Sequence, residues 1–307
     1  MTRLTAVVVA AIVSFVSIGG RAQPAQDQHP RVVIDAVAYD RTGSPVLDLK
    51  PDEVEVSIGH FKVPIRAMTA VTPATDDNGR LIVLLLDDTT VPFGRVQRVR
   101  EVAKLFVSRM VPGDHMAVVT LDGSSTETTD EPARLDSAID HYDARAGFTT
   151  IDVLGQHVLE TIASLAQQMT EAPGRRKTIV GIGSGWVFDR PIPPPLAGRD
   201  LRPEWTKAMR AMAFAHSNLY AIDPNGVGTT GAYSGDQGFA RETGGYAFVN
   251  TNDFKTVVNR ILSESENYYL MAVDDPPSGQ TAPLRDLEVR SLRRGVTIRA
   301  RHAIPGK

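Results

Sequence analysis

Asp87-Asp88-Thr89-Thr90 places two carboxylates and two hydroxyls in consecutive positions, directly after six apolar residues, Leu81 to Leu86. The apolar run has no period-two alternation. It reads as a central strand of a parallel sheet covered by helices on both faces. Ligands of such sheets sit just past the carboxyl ends of the strands, so these four residues lie where a site belongs.

Ser184, between Gly183 and Gly185, is the next candidate, and it suggests a hydrolase. A nucleophile elbow, however, requires glycines two residues either side of the serine, where Ile182 and Trp186 stand. A dinucleotide loop beginning at Gly181 fails at its third glycine, which is again Trp186, and prolines rather than a helix follow. There is no phosphate loop ending in Gly-Lys-Ser/Thr and no His-Glu-x-x-His. The seven histidines fall in no catalytic pattern, so the chain is expected to be non-catalytic.

The elements that must position these residues follow from periodicity. Val96, Val99, Ala103, Phe106 and Met110 make one apolar face of a helix over Arg95 to Met110, and Arg95, Arg98, Arg100, Lys104 and Arg109 fall on its solvated side. Ile151, Leu154, Val158, Ile162, Leu165 and Met169 make another. Strands are expected at His115 to Leu121, Lys177 to Ile182, Leu219 to Ile222 and Tyr246 to Val249. Further helices are expected over Ala133 to Tyr142, over Pro203 to His216, and after Asn252 as cap. Strand and helix alternate from 80 to 266, which predicts a doubly wound, mostly parallel α/β sheet. Residues 31–72 and 267–307 read as β segments only, and each is too small to stand alone, so the two are expected to pack together.

The first 22 residues carry Arg3, an apolar stretch of about 15 residues and small residues at Gly20 and Ala22, the pattern of a signal peptide; the stretch is short of the ~20 residues a membrane span needs. Export to the periplasm or beyond is the expectation, with residues 23–30 as a flexible start and no membrane span after cleavage. With no cysteine there are neither disulfides nor a lipoprotein anchor. A formal charge of -3 without long single-sign runs gives no footprint for nucleic acid.

Strand Leu81 to Asp87, Tyr220-Ala-Ile-Asp-Pro224, Thr243-Gly-Gly-Tyr-Ala-Phe-Val249, Tyr268-Tyr-Leu270 and the ending Arg294 to Ala300 together resemble the von Willebrand factor type A (VWA) domain, and more narrowly the bacterial secreted VWFA-related family. That resemblance implies a protein-binding or adhesion module. It also implies a site for Mg²⁺ or another divalent cation, built from Asp-x-Ser-x-Ser, a threonine of a second loop and a later aspartate. Mapped onto this chain, Asp87 and Thr89 take the first two positions, and Val91, which has no oxygen, takes the third. Thr149 or Thr150 supplies the second loop, and Ser184 stands where the later carboxylate belongs. Mg²⁺ takes six oxygens, so the implied site is degenerate and its cation weakly held, with Asp88 or Asp122 as substitute ligands. Two plainer roles compete: Asp87 accepts hydrogen bonds from loop amides, and the threonines cap the following helix. Loops carrying Val91, Phe93, Phe148, Trp186 and Asp223 are the expected contacts to a protein partner. A metal-independent structural or assembly component of the cell envelope is the alternative.

Overall fold

The computed structural model describes residues 31–73, 79–145, 151–171, 176–183, 200–228, 238–276 and 282–306. Alternating residues build the first strands, β1 (Arg31–Asp40), β2 (Val54–Ile58), β3 (Phe61–Val63) and β4 (Ile65–Val71). The strand β5 (Leu81–Leu86) then begins a different pattern, continued by α1 (Val96–Val107), β6 (His115–Thr120), α2 (Pro132–His141), α3 (Ile151–Thr170) and β7 (Lys177–Ile182). It runs on through α4 (Arg202–Phe214), β8 (Ser217–Ile222), α5 (Gly238–Glu242), β9 (Ala247–Phe248) and α6 (Phe254–Glu266). Strands return as β10 (Tyr268–Asp274), β11 (Leu284–Ser291), β12 (Val296–Ala300) and β13 (Ala303–Pro305).

The five strands β6-β5-β7-β8-β9 form one parallel sheet in that spatial order. Leu81, Val83 and Leu85 point into a core shared with α3 and α4, while Ile82, Leu84 and Leu86 point into a second core with α1, α2 and α6. That two-sided burial is why β5 carries no polar residue: alternate side chains face opposite layers, and both layers are apolar. Beyond β6, the stretch 124–129 runs antiparallel to it, with Thr126 N donating to Val118 O at 2.9 Å and Thr129 N to Met116 O at 2.9 Å. Bridges pair Val119 with Ser125 and Met116 with Thr129, so this edge holds one residue more than β6 does and bulges.

The chain leaves β5 through α1 towards β6, then returns through α3 past β5 to β7. Strand order therefore reverses at β5, and its carboxyl end, with that of β7, is the switch point of the sheet.

The two β flanks form one sandwich. Its sheets are β12-β1-β10-β4 and β13-β11-β2-β3, and each mixes strands from both ends of the chain. Ala36 lies opposite Tyr269, Ala38 opposite Ile298, and Val56 opposite Val289. Ile34, Val56, Ile58, Met271 and Val273 fill the space between the sheets. The remaining face of β1 and the end of β12 meet the α/β layers through buried charge. Arg301 donates to Asp35 at 3.0 Å, Arg176 lies 3.7 Å from the other oxygen of Asp35, and Arg299 pairs with Glu264 on α6.

Two local expectations are corrected. The cap of α6 is Asp253 rather than Asn252: its carboxylate accepts from Thr256 N at 3.1 Å, while Asn252 accepts from Arg98 at 3.2 Å. The basic side of α1 is not simply solvated. Arg100 donates to the Tyr142 carbonyl at 2.6 Å, Arg109 to Asn259 at 2.7 Å, and Lys104 pairs with Asp140 at 2.7 Å, so these cations tie α1 to α2 and α6.

Candidate functional site

Asp87 lies one residue beyond β5 and still belongs to the ladder, its N–H donating to Ile182 O at 3.0 Å. That bond fixes the carboxylate at the switch point, where the residue is 2% exposed. The chain then folds back around it. One carboxylate oxygen accepts from Thr89 N, Thr89 Oγ1 and Thr90 N, each at 2.9 Å, and the other accepts from Thr90 Oγ1. Both oxygens are thus engaged by the two threonines that follow. Three of the four donors share one oxygen and the fourth meets the other.

Asp88 is equally hidden and differently served. Its carboxylate accepts a long hydrogen bond from Asp122 N at 3.3 Å. Burial pushes its carboxyl above the ordinary range, and the nearby negative charge of Asp122 adds to the effect. Asp122 is held below its ordinary range, chiefly by the hydroxyl of Thr120 and also by the amide of Ser124, with Arg145 Nη1 2.6 Å away. On the other side, Asp223 follows β8 and accepts from the backbone and side-chain nitrogens of Asn225 at 2.9 and 2.8 Å. Burial raises its carboxyl too.

Tyr142 and Arg145 complete the surroundings. The Tyr142 hydroxyl donates to Asp87 O at 2.6 Å, and Arg145 N donates to Asp88 O at 2.6 Å. Neither residue stands out in the sequence. Tyr142 reads as the last apolar position of α2, and Arg145 is one cation among acids.

Of the residues expected at the site, Asp87, Thr89, Asp88 and Asp122 come together at the ends of β5 and β6. Thr149, Thr150, Ser184, Phe148 and Trp186 lie outside the described residues. Val91 is corrected: it packs in the core with Leu86 and Val96, so it offers a partner no surface. Phe93, two residues further, is 65% exposed, and Val227 in the loop after β8 is 60% exposed. The two loops are neighbours. The charge of Arg95 reaches Asp223, and a Cβ added at Gly226 would stand 3.4 Å from Arg98 Nη1.

As placed, the described residues do not fit a resident Mg²⁺. The cation needs about six oxygens free to face it. Both oxygens of Asp87 face threonine donors, the third motif position is an aliphatic core residue, and no group of three or more His, Asp or Glu able to hold a metal occurs among the described residues.

Fold and site together define a doubly wound α/β unit with acidic loops at its switch point, joined to a β sandwich. No known family's sequence profile matches the chain, and no curated protein is similar to it. Solved structures of similar fold include an aerotolerance-related membrane protein from Bacteroides fragilis, at 14% identity over 61% of this chain and 98% of the other, with a TM-score of 0.41. The manganese-loaded TRAP protein of Plasmodium vivax is similar at 10% identity over 78% of this chain and 98% of the other, with a TM-score of 0.39. The VWA domain of SpRpn10 is similar at 15% identity over 59% and 94%, with a TM-score of 0.35. The fold assignment itself rests on strand order and layering.

Proposed function

We propose that this protein is an exported, non-catalytic interaction or adhesion module of VWA type, which meets a protein partner through the loops at the carboxyl ends of β5 and β8. The observation that carries the reading is the exposure of Phe93 and Val227 on the neighbouring loops that follow β5 and β8, with Arg95 and Arg98 close to the second loop. An aromatic anchor ringed by polar groups is the usual core of a protein contact. The metal site is degenerate. Asp87 acts as an internal clamp that shapes the β5 loop, and partner contacts are made by protein side chains rather than through a tightly held cation.

Two measurements test this. A photo-cross-linking amino acid placed at Phe93 or Val227 in the native host gives a discrete protein adduct, and the same group at exposed Phe61 does not; equal yields at all three positions overturn the reading. Calorimetric titration of chelator-treated protein with Mg²⁺, Mn²⁺ and Ca²⁺ gives no saturable heat at millimolar metal. Saturable binding lost in Asp87→Ala would instead restore a working cation site.

A further inference from the structure

Where the sandwich meets the α/β layers, three arginines and two carboxylates are buried together. Arg176 leads into β7, Arg299 lies on β12 with Arg301 just after it, Asp35 lies on β1 and Glu264 on α6. Their pairing is uneven. Arg301 donates to Asp35 at 3.0 Å and Arg299 pairs with Glu264, so each carboxylate has a guanidinium of its own. Arg176 is left over. Its Nε donates to Asn218 Oδ1 at 3.0 Å and stands 3.7 Å from Asp35, beyond hydrogen-bond length. The side chain is 1% exposed, and Nη1 and Nη2 are both buried without an acceptor. Arg299 Nη1 is in the same state.

Three arginines against two carboxylates leave one positive charge inside the seam. His216, which feels Asp35 and Arg301, is held below its ordinary range by burial, so it is neutral near pH 7 and offsets nothing. Lys177 and Arg260 add positive charge, Lys177 donating to Ala215 O at 3.3 Å and Arg260 to Glu264 at 3.0 Å. Aromatic faces lie beside the cations, Tyr268 at 5.3 Å from Arg176 and Tyr220 at 5.8 Å from Arg299. Such faces attract a cation but carry no net charge. The two guanidiniums approach the same point of the seam, because the charges of both act on the hydroxyl of Tyr220, which donates to Glu264 at 2.8 Å. Buried donors without partners cost free energy, and water would satisfy the N–H groups; only an anion answers the surplus charge as well.

We propose that this seam is a binding site for one small monovalent anion, chloride or a halide of similar size, held by Nη1 and Nη2 of Arg176 and by Nη1 of Arg299. The forked edge of Arg176 presents two parallel donors to it. A dianion such as sulfate would reverse the surplus rather than cancel it. The site exists only where Arg176 and the C-terminal strand β12 are brought together, so the anion binds the folded chain and not the unfolded one. Arg176 precedes β7 whereas Asp87 follows β5, so the site lies towards the opposite end of the parallel sheet from the switch point.

The test is urea unfolding of the full chain at constant ionic strength, with sodium gluconate replaced stepwise by sodium chloride. Above the dissociation constant of the site, each tenfold rise in chloride lowers the unfolding constant about tenfold. Bromide acts as chloride does, and sulfate does not. Arg176→Gln removes both free donors and the surplus charge, and it abolishes the dependence. Arg176→Lys keeps the charge but loses the fork, and weakens it. Lys62→Gln, at an exposed position on β3, leaves it unchanged. If Arg176→Gln does not fold, crystals of the unsubstituted chain grown in bromide decide, with an anomalous scattering peak expected against Nη1 and Nη2 of Arg176. Equal unfolding constants in gluconate and chloride, a full chloride dependence in Arg176→Gln, or water alone at Arg176 in the bromide crystals overturns the proposal.

Discussion

Asp87 and Asp88 are neighbours with opposite electrostatic situations. Asp87 accepts four hydrogen bonds from two threonines, whereas Asp88 is buried beside Asp122 with little to balance its charge. Replacing Asp87 by alanine strips four donors of their acceptor and is expected to cost about 1–3 kcal/mol in urea unfolding, with Asp87→Asn costing less because one carbonyl oxygen remains. Asp88→Asn is expected to do the reverse and raise the unfolding midpoint at neutral pH, since it removes a buried charge while keeping an acceptor for Asp122 N. The sequence placed both residues correctly at the end of β5 but did not separate their roles. A hydroxyl one or two positions after a carboxylate can ligate a cation through its oxygen or donate its proton to the carboxylate, and spacing alone is the same in both cases. Tyr142 and Arg145 were not legible at all, because they reach the site from the far end of α2.

At the scale of elements, the strands and helices were readable because each buries an apolar stripe of the right period. The seam between sandwich and α/β layers was not. Arg299 and Arg301 alternate with Ala300 and Ile298, a pattern that a sequence reading assigns to a strand with one solvated face. In the fold, that face meets Asp35 and Glu264. Burial alone would raise both carboxyls, but Arg301 and Arg176 outweigh it for Asp35, and Arg299 and Arg260 outweigh it for Glu264, so both sit below their ordinary range. Removing one partner of such a pair leaves a buried charge alone, so Arg301→Ala and Asp35→Ala are each expected to destabilise by about 3–5 kcal/mol. The sign with pH follows from the depressed values. The stabilisation is present above the unfolded carboxyl range and is lost as pH falls from about 4 through the folded value. Thermal melts from pH 7 to 3 should therefore fall steeply for the natural protein and less steeply for Glu264→Gln, which has no charge left to lose. A parallel fall in both would show that other carboxylates dominate.

The whole molecule joins its two ends, and that joining is where the last prediction lies. The sequence showed that neither β flank could stand alone, which implied their pairing, but not that β1 would lie between β10 and β12 while β2 paired with β11. Period-two alternation gives a strand's buried face and says nothing about its neighbour. A chain ending at Glu266 deprives β1 of both neighbours and β2 of one, and it removes Arg299 and Arg301 from their buried carboxylates. The parallel sheet loses no strand, since β5 to β9 all precede that point. Hydrogen exchange on the truncated chain should therefore show β1 and β2 amides unprotected, while amides of β5, β7 and β8 exchange slowly, as in the full chain. Loss of protection throughout would mean that the α/β layers depend on the sandwich for their stability, through the ionic seam and the apolar contacts around Val37 and Tyr268. Retained protection in β1 would mean that pairing with the C-terminal strands is not what holds it.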